Sequence, residues 1–190
     1  MQLKLKRMMA AFAVVAVLAT GSVFASPPSA TPESAAYLSQ RASTLLADIQ
    51  KETGELSANA ETLGTFAWNP QYSWQSHAFY LERVKGHINA VGQRIAELQQ
   101  IRDSVLPWQQ QAISEVTSHA AQVAASTQAA IVHLRESQNR LFVSEYREHL
   151  TTIADRSGDM KQTVDKFLNY EKAQQNYEEA QQSIYSWKTS

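Results

Sequence analysis

The chain has 190 residues, with 17 basic and 18 acidic side chains and no cysteine. The missing thiol excludes disulfides, iron–sulfur ligation, a cysteine nucleophile, covalent haem attachment and a lipidated N-terminal cysteine. A near-neutral balance without a basic run suits neither nucleic acid nor anionic lipid.

The first segment sets the expected compartment. Lys4, Lys6 and Arg7 precede an apolar run from Met8 to Ala19, and Val23-Phe24-Ala25 ends in the small-residue pattern of a signal-peptidase site. Residues 1–25 are therefore expected to be a cleaved signal peptide, with Ser26 the first mature residue. The rival is a retained anchor. A spanning helix takes about 20 apolar residues, and this run meets Thr20, Gly21 and Ser22 too early. The expectation is export to the periplasm or the extracellular space, with no stable membrane insertion after cleavage. Cleavage removes three of the 17 basic residues and none of the 18 acidic ones, leaving 165 residues with a net charge of −4. That length suits one domain with one core.

Residues 26–31 read as a flexible lead, and Thr31 is placed to cap a helix that has Pro32 at its first position. Helix one is expected over 32–66, with Leu38, Ala42, Leu45, Ile49, Leu56 and Leu63 on one stripe. Pro70 then marks a boundary, since proline inside a helix costs about 3 kcal/mol. Helix two, 75–104, has the cleaner seam, in which Leu81, Val84, Ile88, Val91, Ile95, Leu98 and Ile101 alternate by three and four. Pro107 marks the next boundary. Leu106 is a poor cap, which favours one long helix kinked at Pro107, whereas the restricted residue before proline favours a turn; the turn is the preferred reading. Helix three, 108–140, carries Ile113, Val116, Ala120, Val123, Ala130 and Leu134. Helix four, 144–187, runs through Tyr146, Leu150, Ile153, Met160, Val164 and Phe167. It then shifts phase to Tyr170, Ala173, Tyr177, Ala180, Ile184 and Trp187. No segment alternates with period two. The fold class is all-α: an antiparallel up-down-up-down four-helix bundle with coiled-coil seams.

Two segments, SVLPWQQQAI and HLRESQNRLF, resemble stretches of uncharacterised exported bacterial helical proteins, over about Trp68 to Phe167. The resemblance implies no activity and assigns no functional residue.

Three sets of residues invite a functional reading. The first is WNPQYSWQSH, residues 68–77, which the topology brings beside Phe142 and Tyr146. Trp68, Tyr72, Trp74, Phe142 and Tyr146 are expected to form a structural lid, with His77 beneath it. The second set, His77, His133 and His149 with Glu145, gathers at the same end and offers metal-ligating chemistry. It has neither H-E-x-x-H spacing nor the paired E-x-x-H of di-iron bundles, so no metal or other cofactor is expected. A haem held by His77 and Met160 fails on their separation along the core. The third set is the end of helix four, where Tyr177, Ile184, Tyr185 and Trp187 would lie past the neighbouring helices.

No catalytic residue is nominated. There is no Gly-flanked serine turn, and the adjacent Glu178 and Glu179 point to different helix faces. The sequence is thus read as an exported, non-catalytic bundle that binds a protein or envelope component, or a second copy of itself. The alternatives are a periplasmic sensor for a small ligand or metal, using the aromatic and histidine end, and an enzyme of unassigned chemistry.

Overall fold

The computed structural model describes residues 32–188 apart from Pro70 and Asn139, so the expected signal peptide, lead, Thr31 cap and Pro70 boundary lie outside the described residues. Four α-helices follow one another: α1 (Pro32–Phe66), α2 (Trp74–Ile101), α3 (Pro107–Glu136) and α4 (Ser144–Lys188), with a single 3-10 turn at Arg102–Ser104 after α2. Each helix packs on its chain neighbour, and α4 closes the ring against α1. This is the antiparallel four-helix bundle. No strand occurs among the described residues, and none of their helices is long and apolar enough to cross a membrane.

One period builds all four walls. Buried positions recur by three and four at 42, 46, 49, 53, 56, 60, 63 and 67 in α1 and the residue after it, and at 77, 81, 84, 88, 91, 95 and 98 in α2. The same spacing gives 109, 113, 116, 120, 123, 127, 130 and 134 in α3, then 146, 150, 153, 157, 160, 164 and 167 in α4. A repeat of 3.5 keeps an apolar seam facing its neighbours as the helices coil around one another. Polar residues stand in all four seams: Thr53 in α1, His77 in α2, Gln109 and Thr127 in α3, and Ser157 in α4. Thr53 satisfies its hydroxyl by donating to the Gln50 carbonyl at 2.9 Å, so the α1 seam passes unbroken between Ile49 and Leu56. At Gly64 a methyl group would come within 3.1 Å of the Ala154 side chain, so glycine here permits the close approach of α1 and α4.

The connections explain where the expected boundaries moved. Ser73 starts α2, its Oγ accepting from the Ser76 amide at 3.4 Å. At the other end α2 tightens into the 3-10 turn, Val105 and Leu106 are extended, and Pro107 opens α3. Residues 102–104 are therefore a turn of tighter pitch rather than the last turn of helix two. The chain reverses at Pro107 instead of kinking. Leu106 remains a poor cap by its own side chain, and Gln109 takes that task. Its Oε1 accepts from the Leu106 amide at 3.1 Å and from Ser39 Oγ at 3.0 Å, while its Nε2 donates to the Ser39 carbonyl at 2.8 Å and to Ser43 Oγ at 3.0 Å. Gln109 is fully buried, so one side chain both caps α3 and fixes it to α1. Helix three also ends four residues earlier than expected. Ser137 leaves helical geometry with φ −140° and ψ 51°, and His133 Nε2 donates to the Arg140 carbonyl at 3.0 Å, drawing the chain back across the helix end.

Candidate functional site

The two ends of the bundle differ in what they do with their aromatics. At the end bearing the α1–α2 and α3–α4 connections, the rings are used on one another. Phe66, 2% exposed, stacks on Tyr72 at 3.9 Å and meets His77 and Tyr80 edge-on at 5.1 and 5.3 Å. His77 and Tyr146 are both fully buried, with His77 Nδ1 and the Tyr146 hydroxyl 2.9 Å apart. His133 stacks on the same phenol ring at 4.8 Å. Leu141 completes the closure at 5% exposed.

The expected lid is thus part inside and part outside. Tyr146 is its centre. Trp74 packs partly buried against the core, and Tyr72 covers Phe66. Trp68 and Phe142, by contrast, are 71% and 45% exposed. Trp68 lies outside the core under the Arg147 guanidinium, 4.9 Å from its ring, because the reversing chain carries it past the last core layer. Reading the sequence missed Phe66, although it stands three residues beyond Leu63 on the same stripe. His77 lies beneath this closure as expected.

The histidines do not form a ligand set. Among the described residues no three His, Cys, Asp or Glu side chains are grouped to hold a metal ion. His77 Nδ1 is engaged by Tyr146 and His133 Nε2 by the Arg140 carbonyl, while His149 is half-buried and Glu145 exposed. Burial lowers the His77 imidazole from 6.5 to about 4 and raises the Tyr146 phenol above its ordinary range. Both groups are accordingly neutral near pH 7. The ring N–H and the phenol O–H supply two donors for one shared bond, and His77 Nε2 has no protein partner. One donor or acceptor stays unmatched whichever tautomer forms. Such a centre packs a neutral imidazole against a neutral phenol in the bundle interior.

The opposite end is built differently. The Glu171 carboxylate accepts from Ser43 Oγ, and Gln50 Nε2 donates to Asp165 at 2.7 Å, which sets α4 antiparallel to α1. Gln109, in the first turn of α3, reaches that same Ser43. Glu171 therefore stands level with the start of α3, and α4 continues for about 25 Å beyond it at 1.5 Å per residue. Described residues from Lys172 onward are exposed without exception. The sequence sustains a helix there through Ala, Gln, Glu and Lys with no glycine or proline. Two bonds four residues apart support it, Gln174 Nε2 to the Tyr170 hydroxyl at 2.6 Å and Gln181 Nε2 to the Tyr177 hydroxyl at 2.7 Å.

The phase shift gives this projection a direction. Phe167 and Tyr170 meet Trp108 of α3, at 6.5 and 5.9 Å between ring centres, whereas Asp165 and Glu171 face α1. At about 100° per residue, the stripe Tyr170, Ala173, Tyr177, Ala180, Ile184 and Trp187 lies roughly 100° from the core seam, turned to the α3 side. Helix α3 has not yet begun at that level. The one helix that does extend further, α1, lies on the other side. All four sequence candidates are exposed: Tyr177 65%, Ile184 59%, Tyr185 68% and Trp187 85%. Of twelve exposed large apolar residues among those described, seven gather at this end, with Tyr37, Leu106 and Tyr170 joining these four. These exposed apolar residues are thus concentrated at one end rather than scattered over the surface.

Comparison with known proteins places no relative beside this arrangement: no protein-family model, no curated protein and no solved structure matches the chain.

Proposed function

We propose that the protein is an exported, non-catalytic helical bundle that docks a protein or envelope component through the projecting end of α4. The observation that carries the reading is the run of exposed tyrosine, isoleucine and tryptophan beyond Glu171, on a stripe that no other helix among the described residues faces. The bundle end from which the tail departs is already packed by Val105, Trp108 and Phe167, so its core does not call on those residues. Their helical spacing suits an amphipathic helix presented to a partner. The leader-like N-terminal pattern supports export.

A photo-crosslinking residue placed at Tyr177 or Ile184, in cells that express the full chain, tests this directly. Adducts are expected from both positions and not from Gln93, which is exposed on α2. Adducts formed equally well from Gln93, or none from the tail, would overturn the docking assignment. The crosslinked mature chain should begin at Ser26. An intact Met1 on membrane-bound protein would overturn the cleavage and the release from the membrane, and leave the docking assignment standing.

A further inference from the structure

We propose that the stripe on the end of α4 pairs with the same stripe of a second copy of this chain, antiparallel, about a two-fold axis between Glu178 and Glu179. The inference rests on the reading of this end as a docking element and names its occupant.

The first argument is shape. Along the stripe the bulky residues Tyr170, Tyr177 and Ile184 alternate with Ala173 and Ala180, and Trp187 closes the series. Antiparallel pairing sets Tyr177 against Ala180, Ile184 against Ala173 and Tyr170 against Trp187, each pair occurring twice, as an isologous interface requires. Large then meets small in the four inner layers, which lets the layers interdigitate. Parallel pairing in register would set tyrosine on tyrosine and leave alanine facing alanine, with clashes alternating with voids. Antiparallel pairing also carries Trp187 of each copy to the bundle end of the other, beside Tyr170, Trp108 and the half-exposed Leu106.

The second argument is charge. Between Ala173 and Ile184 the residues flanking the stripe are Gln174, Asn176, Gln181 and Ser183, all neutral, whereas Glu178 and Glu179 lie away from it and Glu171 faces α1. Flanking positions of paired helices set partner choice through their charges. Neutral flanks carry no repulsion between identical copies and no complement for a strongly acidic or basic partner.

The third argument is area. Tyr170, Tyr177 and Trp187 are 46%, 65% and 85% exposed. With ~150–250 Å² removed per buried aromatic, the six rings of two copies and their isoleucines remove on the order of 1,000 Å². That is the lower edge for a specific interface, so the pair is a reversible dimer rather than an obligate one.

The absence of cysteine from the chain makes a clean test available. In the full mature protein, Ala173→Cys and Ile184→Cys are made as separate variants and oxidised alone and mixed. Antiparallel pairing places residue 173 of one copy about 16 Å along the axis from 173 of the other, too far for a disulfide, but opposite residue 184. A disulfide-linked dimer is therefore expected from the mixture and not from either variant alone. A linked dimer from Ala173→Cys by itself would show parallel pairing and overturn the proposal. Sedimentation equilibrium of the unaltered protein should show a monomer–dimer equilibrium, and a monomer at several hundred micromolar would overturn self-pairing outright. Photo-crosslinks from Tyr177 to a different protein, with no adduct of twice the chain mass, would remove the self-pairing and leave the docking assignment standing.

Discussion

Replacing Tyr146 by alanine is expected to lower the unfolding free energy by about 3–5 kcal/mol, the range for deleting a large buried ring. Tyr146 is fully buried, shares a hydrogen bond with His77 and lies under His133. Its truncation opens a cavity where three helices meet, α2, α3 and α4, and leaves the His77 ring without its one polar partner. Against a typical domain stability of 5–15 kcal/mol, this is a large share. Trp68→Ala at the same end should cost under about 1 kcal/mol, because the indole is largely exposed and its contact with Arg147 is a surface cation–π pair. Urea denaturation near pH 7 separates the two. Equal losses would show that the closure is shared across the whole aromatic cluster rather than centred on the buried phenol.

Acid should produce the second large effect. Burial holds the His77 imidazole at about 4 in the folded chain, against 6.5 when exposed. Above pH 6.5 the ring is neutral in both states and contributes no pH dependence. As pH falls from 6.5 to 4, the unfolded chain takes up a proton that the folded chain refuses, so stability is lost across that window, by on the order of 3 kcal/mol. Asp165 acts further down the scale. Hydrogen bonds from Gln50 and Lys161 lower its carboxyl below the ordinary range, so its contribution is present above the ordinary value and disappears as pH falls through the lowered one. His77→Leu, which replaces the ring by an apolar group of similar volume, should flatten the loss between pH 6.5 and 4 and leave the lower limb. A variant whose stability fell just as steeply over that window would show that His77 is not the group responsible.

The helices were legible in the sequence because one physical pattern wrote all of them. A buried residue every three or four positions gave α2 almost position by position, from Leu81 to Leu98, and it gave the phase shift after Phe167. What the pattern did not show was where side chains act across sequence distance. Gln109 looked like one polar residue among several, yet it resolves the apparent conflict at Leu106. The signal was its place three residues after the cap, where a Gln side chain can reach back to the cap amide. Trp68 read as part of the lid because aromatics at a bundle end usually cover the last core layer. Its place depends on how the chain reverses after Ala67, which periodicity does not encode. The stripe from Tyr177 to Trp187 was legible as apolar. That no other described helix faces it follows from the antiparallel register of α1 and α4, set by Ser43 with Glu171 and Gln50 with Asp165, and no local pattern contains that register.

The central claim is that α4 beyond Glu171 is presented by the bundle and is not part of its support. The most direct measurement compares the unfolding free energy of the chain from Ser26 to Ser190 with that of a chain from Ser26 to Glu171, both at submicromolar concentration, where a weak dimer would be dissociated. Equal stability within about 1 kcal/mol is expected, since surface changes away from packed groups stay within that size, together with a loss of helical signal in proportion to the residues removed. A loss of several kcal/mol on truncation would contradict it, because the tail would then be packed against α1 as part of the core.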